Sequence, residues 1–230
     1  MTAPIATITG SSRGLGRALA VDLAGRGFHV FGLGRDRSAL HETGELCVEA
    51  GGSFTPVVAD LFDEDASVSA YRGLPVADLA IANAGLVGFG AALEQSRAEF
   101  LRLFTVNSIA AFEFLRESAK TMLAEGKPGR LVVIASDAAY RGIANMAPYV
   151  ASKHAVSGMA KTLEEELRGT GIDVTVAYPA SIDTEMVSIP EEDKHLVMRP
   201  DDVARTIIAA VLSSGNSVSV REVHLRAPLR

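Results

Sequence analysis

The feature that most constrains this chain is an alternation. Short, almost unbroken apolar runs recur along it, and longer stretches with helical periodicity lie between them. The runs are 4-PIATIT-9, 28-FHVFGL-33, 53-SFTPVV-58, 77-ADLAIA-82, 130-RLVVIA-135, 172-IDVTVAY-178 and 217-SVSVREVHL-225. Strands apolar on both sides belong in a parallel sheet, whose crossover connections cover both faces. Between them, 14-GLGRALAVDLAGRG-27 repeats its apolar positions at helical spacing and stops at a glycine. The alternation predicts a doubly wound α/β sheet of about seven mainly parallel strands with helices on both faces. In the seventh run Val218, Val220, Val223 and Leu225 interleave with polar residues, which puts it at an edge or an interface.

No repeat, low-complexity tract or linker divides this pattern, so residues 1–230 read as one domain. The net charge is −6 and the 22 basic residues are scattered, which argues against nucleic acid as a partner. A single cysteine, Cys47, permits no disulfide within the chain and fits a reducing compartment. The five histidines (His29, His41, His154, His195, His224) show no metal-ligand spacing, so no metal is expected. The N-terminus lacks a basic stretch before its apolar residues, and no apolar run approaches the roughly 18 residues of a membrane span. These features suggest a soluble, cytoplasmic protein with no membrane partner.

The first strand runs into 9-TGSSRGLG-16 and then into a helix. Glycines at 10, 14 and 16 let the backbone turn sharply and approach a ligand, and a helix N-terminus offers free N–H groups to an anion. Gly10, Ser12, Arg13, Gly14, Leu15 and Gly16 are therefore candidate contacts to a dinucleotide pyrophosphate. The pairs 32-GLG-34 and 88-GFG-90 lack that setting and read as turns. The second strand ends near Arg35, whose guanidinium suits a 2′-phosphate, and Arg13 is placed to reach the same group. Both favour NADP(H) over NAD(H). Asp36 is the competing candidate, as a partner for a ribose hydroxyl or as the N-cap of the next helix.

In 147-APYVASKHAVSGMAKTLEEEL-167, Tyr149 and Lys153 share a helix face. They are either surface side chains or an acid and the cation that tunes it. Together with the glycine turn, they make this sequence resemble the short-chain dehydrogenase/reductase family. The resemblance runs from Thr9 to about Thr184. The turn fits TGxxxGxG, Asp60 in 58-VADL-61 matches an adenine contact, and 82-ANAG-85 matches NNAG with Ala82 for the first Asn. Asn107 in 105-TVNS-108, Ser136, Tyr149 and Lys153 match the active-site residues, and 179-PASIDT-184 matches PGxxxT with Ala180 for Gly.

The resemblance implies a Rossmann-type fold and an oxidoreductase that moves hydride between nicotinamide and a carbonyl/alcohol pair. Leu61, Asn83, Ala84, Gly85, Pro179, Ile182 and Thr184 would then line the cofactor beside the glycine turn. Tyr149 would be the acid/base, with its phenol pKa lowered by the Lys153 ammonium, and Lys153 would also hold the nicotinamide ribose. Ser136 would bond the substrate oxygen. Asn107 would hold a proton-relay water, or be simply a satisfied polar residue. A homodimer or homotetramer, pairing the helices of Asn107 and Tyr149, is implied as well. Alternatives are a reductase of an imine or enone, or a silent dinucleotide-binding regulator. The substrate is a small molecule, and the short run 185–199 is its expected loop, over a fairly open pocket.

Overall fold

The computed structural model describes residues 2–186, 189–213 and 218–228. Seven strands form one sheet: β1 (Ile5–Thr9), β2 (His29–Gly34), β3 (Ser53–Val58), β4 (Leu79–Ala82), β5 (Gly129–Ile134), β6 (Ile172–Pro179) and β7 (Glu222–Leu225). Their order is β3-β2-β1-β4-β5-β6-β7, and every pair is parallel. The connections carry α1 (Gly14–Gly25), α2 (Arg37–Glu49), α3 (Glu64–Arg72), α4 (Arg97–Phe104), α5 (Ala111–Ala124), α6 (Ala147–Glu166) and α7 (Pro200–Leu212).

The doubly apolar strands do what their composition requires. On one face Ile8 and Val30 meet Leu19 and Leu23 of α1 and Ile207, Ile208 and Val211 of α7, with Cys47 of α2 beside them. On the other, Leu131, Val133 and Val174 meet Phe114 and Met122 of α5 and Ala160 and Leu163 of α6. Each fully buried Leu, Ile or Phe contributes about 1.5–3 kcal/mol of hydrophobic stabilisation. Burial also pushes the Cys47 thiol up to about 11, which leaves it unreactive at neutral pH.

Two sequence expectations need correction. Gly32 and Gly34 do not form a turn; both lie inside β2. A Cβ at Gly32 would meet the Phe54 ring at 2.2 Å, and one at Gly34 would meet Ser12 Oγ at 2.2 Å, so packing demands the missing side chains. The seventh strand is shorter than its apolar run. Among the described residues its ladder with β6 runs from Val176↔Glu222 to Pro179↔Leu225, and just before it the Thr175 hydroxyl donates to the Val220 carbonyl at 2.5 Å. Ser217 lies outside the described residues. As expected, the strand is an edge.

With all strands parallel, the segments after β1, β4, β5 and β6 gather at one rim. The strand order reverses between β1 and β4, and a crevice opens there. On the far side, α4 passes into a wider π-helical turn, Thr105–Ala110, before α5 begins. Among the described residues no helix is long and apolar enough to cross a membrane.

Candidate active site

The turn after β1 is bare for three different reasons. Gly10 has φ +71°, and a Cβ on it would stand 2.7 Å from Ala84 Cα. Gly14 has φ +52°, and a Cβ on it would stand 3.2 Å from the Thr184 methyl. At Gly16 the backbone is ordinary, but a Cβ would lie 2.0 Å from the Gly10 carbonyl. No side chain caps the start of α1, where Arg13 is extended, so its first N–H groups face the crevice uncapped. Leu15 is buried behind the turn and Ser12 is half-buried over the end of β2.

The next segment is stitched onto this turn. The Thr9 hydroxyl accepts the N–H groups of Asn83 and Ala84, each at 3.1 Å. The Asn83 amide donates to the carbonyls of Thr9 and Gly10, also at 3.1 Å. Its side chain is thus spent on fixing the backbone. From the other side, Thr184 closes over Gly14, while Pro179 ends β6 and Ile182 pairs with Met198. The two departures from the family pattern cost nothing in backbone geometry. Ala82 is buried in the core, and Ala180 keeps a negative φ; among the described residues Asn145 is the one non-glycine with positive φ.

Arg13 and Arg35 are exposed, and neither is in an ion pair among the described residues. Arg17, by contrast, is engaged by Glu42 at 3.0 Å and by the Ser12 carbonyl at 2.7 Å. Asp36 caps α2, accepting the Ala39 N–H at 3.1 Å. Asp60 stands exposed beyond β3 with Leu61 half-buried next to it, and its carboxylate accepts the Phe62 N–H at 3.0 Å.

Across the switch point the structure brings Gly85, Asn107, Ser136, Tyr149 and Lys153 together. A Cβ on Gly85 would sit 3.4 Å from Asn107 Oδ1 and 3.6 Å from Lys153 Nζ. Asn107 is buried and satisfied: its amide donates to the Leu86 carbonyl (2.9 Å) and Ser152 Oγ (3.0 Å), and its oxygen accepts the Leu86 N–H (2.7 Å). Both amide hydrogens are thus engaged, and the oxygen keeps one acceptor site. Lys153 Nζ, also buried, donates to the Ile134 carbonyl at 3.0 Å and lies 5.8 Å from the centre of the Tyr149 ring.

The titration of this pair departs from the sequence expectation. The Tyr149 phenol is held above its ordinary value, first by burial and then by the Asp137 charge, against an opposing hydrogen bond from Ser136. Burial lowers Lys153 to about 8. The reason is physical: Lys153 is buried and Tyr149 half-buried, and desolvation disfavours the charged form of each. Both shifts favour the neutral forms.

Spacing gave Asp137 no role, because an acid one position after a candidate serine carries no pattern of its own. It missed Asn145 too, whose φ of 62° and carbonyl bond to Gly90 N–H (2.9 Å) tie the approach to α6 to the segment after β4. An asparagine just ahead of a helix-starting Ala-Pro was the available signal for a left-handed residue.

The sequence model of the short chain dehydrogenases matches residues 4–195. The chain belongs to the short-chain dehydrogenase family. An uncharacterised oxidoreductase of Myxococcus xanthus is 33% identical over 218 residues, covering 93% of this chain and 86% of that protein. Among solved structures, a metagenomic short-chain oxidoreductase in complex with NADP is 30% identical with a TM-score of 0.84, covering 99% of this chain and 98% of the other. The actinorhodin polyketide ketoreductase with NADPH superposes with a TM-score of 0.89 at 25% identity, covering 98% and 96%. As a short-chain dehydrogenase with a parallel seven-stranded sheet, this protein is an oxidoreductase of that family.

Proposed function

We propose that this short-chain dehydrogenase is an NADP(H)-dependent reductase of a small-molecule carbonyl, with Tyr149 as its proton donor. The observation that supports the reading is the meeting of Asn107 and Lys153 at bare Gly85, with the Tyr149 ring 5.8 Å from Lys153 Nζ, beside a glycine turn. That turn fits a dinucleotide: three positions where any side chain would strain or clash, and an uncapped helix start. Gly10, Ser12, Arg13, Gly14, Leu15 and Gly16 would hold the pyrophosphate, and Asp60 and Leu61 would flank the adenine. Asn83, Ala84, Gly85, Pro179, Ile182 and Thr184 would border the nicotinamide half. Arg13 and Arg35, exposed and outside any described ion pair, would grip a 2′-phosphate, while Asp36 is occupied as a helix cap. Solved relatives that hold NADP or NADPH support the same choice.

Bound reduced nicotinamide supplies the hydride. The protein then has a proton to deliver and a negative charge to stabilise. Tyr149, kept neutral by burial, gives its proton to the carbonyl oxygen. Ser136 hydrogen-bonds that oxygen as charge develops. Lys153 holds the ribose and supplies positive charge close to the phenol. Asn107 acts through backbone: its side chain fixes Leu86 and the wide turn at the site wall. Between α5 and α6, Phe112, Met159 and Leu163 line a shallow apolar groove, which supports a homo-oligomer formed through these helices.

The test is NADPH oxidation over ketones, aldehydes, enones and cyclic imines, with Tyr149→Phe and NADH in parallel. Turnover is expected with a ketone or aldehyde and should fall about 10²–10⁴-fold in the Phe variant, with NADPH binding by fluorescence unchanged. Undiminished turnover in that variant would remove Tyr149 from the chemistry. NADPH binding without turnover of any compound would favour a silent dinucleotide-binding protein.

A further inference from the structure

Behind the glycine turn, a second set of bonds ties it to α2. The Arg17 guanidinium donates through Nη2 to the Ser12 carbonyl at 2.7 Å and the Ala39 carbonyl at 3.3 Å, and through Nε to Thr43 Oγ1 at 3.1 Å. Thr43 is buried, and its hydroxyl lies 3.0 Å from the carbonyls of both Ser11 and Ala39. Glu42 holds Arg17 from the solvent side at 3.0 Å. The start of the turn has its own anchor, since the Gly10 and Ser11 N–H groups donate to the Leu33 carbonyl at 2.8 and 3.1 Å. Arg17 and Thr43 hold its far end.

This arrangement has two geometric consequences. A trans peptide is planar, with its carbonyl and its N–H pointing in opposite directions. Turning the Ser11 and Ser12 carbonyls towards Thr43 and Arg17 therefore turns the N–H groups of Ser12 and Arg13 away from those side chains. Two successive N–H groups on one side suit an anion. The second consequence concerns spacing. Ala39 lies in the first turn of α2, where Asp36 accepts its N–H at 3.1 Å while Arg17 takes its carbonyl. Arg35 immediately precedes that cap. The bonds thus fix the strand end that carries Arg35 relative to the turn that carries Arg13.

We propose that Arg17 and Thr43 are positioning residues for cofactor choice: by clamping the Ser11 and Ser12 carbonyls to the first turn of α2, they hold Arg13 and Arg35 at the spacing that grips a 2′-phosphate. The inference rests on the NADP(H) reading of the site. Neither residue is itself a phosphate ligand. The Thr43 hydroxyl is buried, and Arg17 is engaged by two carbonyls, a hydroxyl and a carboxylate. Without the clamp, the two guanidinium arms must be ordered by the cofactor as it binds, and that cost falls on NADPH. NADH has no 2′-phosphate for the arms to grip.

The experiment measures the dissociation constants of NADPH and NADH by nicotinamide fluorescence in the full chain, for the wild type, Thr43→Val, Thr43→Ser and Arg17→Lys. Thr43→Val changes no charge; it is expected to weaken NADPH about three- to tenfold and to leave NADH near its wild-type value. Arg17→Lys keeps the charge but loses the planar fork, and should shift the ratio in the same direction. Thr43→Ser keeps the hydroxyl and should retain the wild-type preference. Equal weakening of both cofactors, or no change in either, would overturn the proposal and leave the clamp purely structural. If Thr43→Val does not fold, Arg17→Lys decides alone by the same ratio. The wild type tests the underlying reading separately. A protein that binds NADH as tightly as NADPH refutes the NADP(H) reading and the clamp with it, whereas a preference for NADPH that both variants keep refutes the clamp alone.

Discussion

Lys153 gives up hydration to be where it is. Its ammonium donates to one carbonyl and is otherwise enclosed, so its folded value drops from 10.5 to about 8. Two predictions follow at this residue. Below pH 8 the ammonium is present and reduction proceeds; above it the charge is lost, so kcat/KM for reduction should fall through an apparent pKa of about 8, read from a pH–rate profile. The stability consequence has the opposite slope. The unfolded chain binds the proton more tightly, so the protein is penalised at neutral pH and gains stability as pH rises from about 8 towards 10.5. The penalty is about 3 kcal/mol at roughly 1.36 kcal/mol per unit. Lys153→Met should therefore raise the Tm of the cofactor-free protein by several degrees at pH 7, with the gain shrinking towards pH 11. Calorimetry across that range checks it. The grouping of Ser136, Tyr149 and Lys153 came from the family resemblance; spacing alone gives only that Tyr149 and Lys153 are neighbours on one helix face. The direction in which Tyr149 shifts could not, since it depends on burial and on an Asp137 carboxylate that no spacing rule selects.

The wide turn between α4 and α5 shows what one residue of extra winding does. It presents Asn107 to Leu86 and lets Ser108 Oγ bond the Ser152 carbonyl at 2.9 Å, while Ser152 Oγ accepts from Asn107 and donates to the Tyr149 carbonyl at 2.7 Å. Ser152 thus couples the turn to the helix that carries Tyr149. Ser152→Ala should cost about 1–3 kcal/mol by stranding a buried Asn107 N–H and should lower kcat more than it raises KM, as checked by urea denaturation and steady-state kinetics. The turn was invisible in 105-TVNSIA-110, whose residues continue a helical pattern; a π turn differs from an α turn by a single residue in bond register. The strands were legible because a both-face apolar run has few other homes. β2 was misread at Gly32 and Gly34 because glycines in sequence look like turns, whereas their cause, the Phe54 ring and Ser12, comes from other elements.

Over the whole molecule, a chain of net charge −6 must draw in a cofactor that is itself polyanionic. The long-range field opposes that approach, so on the proposed function attraction comes from short range, from Arg13, Arg35 and the start of α1. Salt screens such contacts with a Debye length of about 10 Å at 0.1 M. Raising ionic strength should therefore increase the KM for NADPH more than that for NADH, and Arg35→Ala should erase the difference; paired titrations at low and high salt decide this. The topology of the sheet was readable from the alternation of runs, while the extent of β7 was not, because an edge strand has only one neighbour to enforce it.

The bridge between Ile182 and Met198 has a consequence for how this protein can change over time. Two backbone bonds, Asp183 N–H to the Met198 carbonyl at 2.9 Å and Met198 N–H to the Ser181 carbonyl at 3.0 Å, bring the chain back to where it left the sheet. The two ends of this segment therefore lie at one point, and doubling the length of a loop costs only about 0.6 kcal/mol. On the proposed function, substrate range would diversify there by insertion or exchange while Ser136, Tyr149 and Lys153, after β5 and on α6, keep their positions.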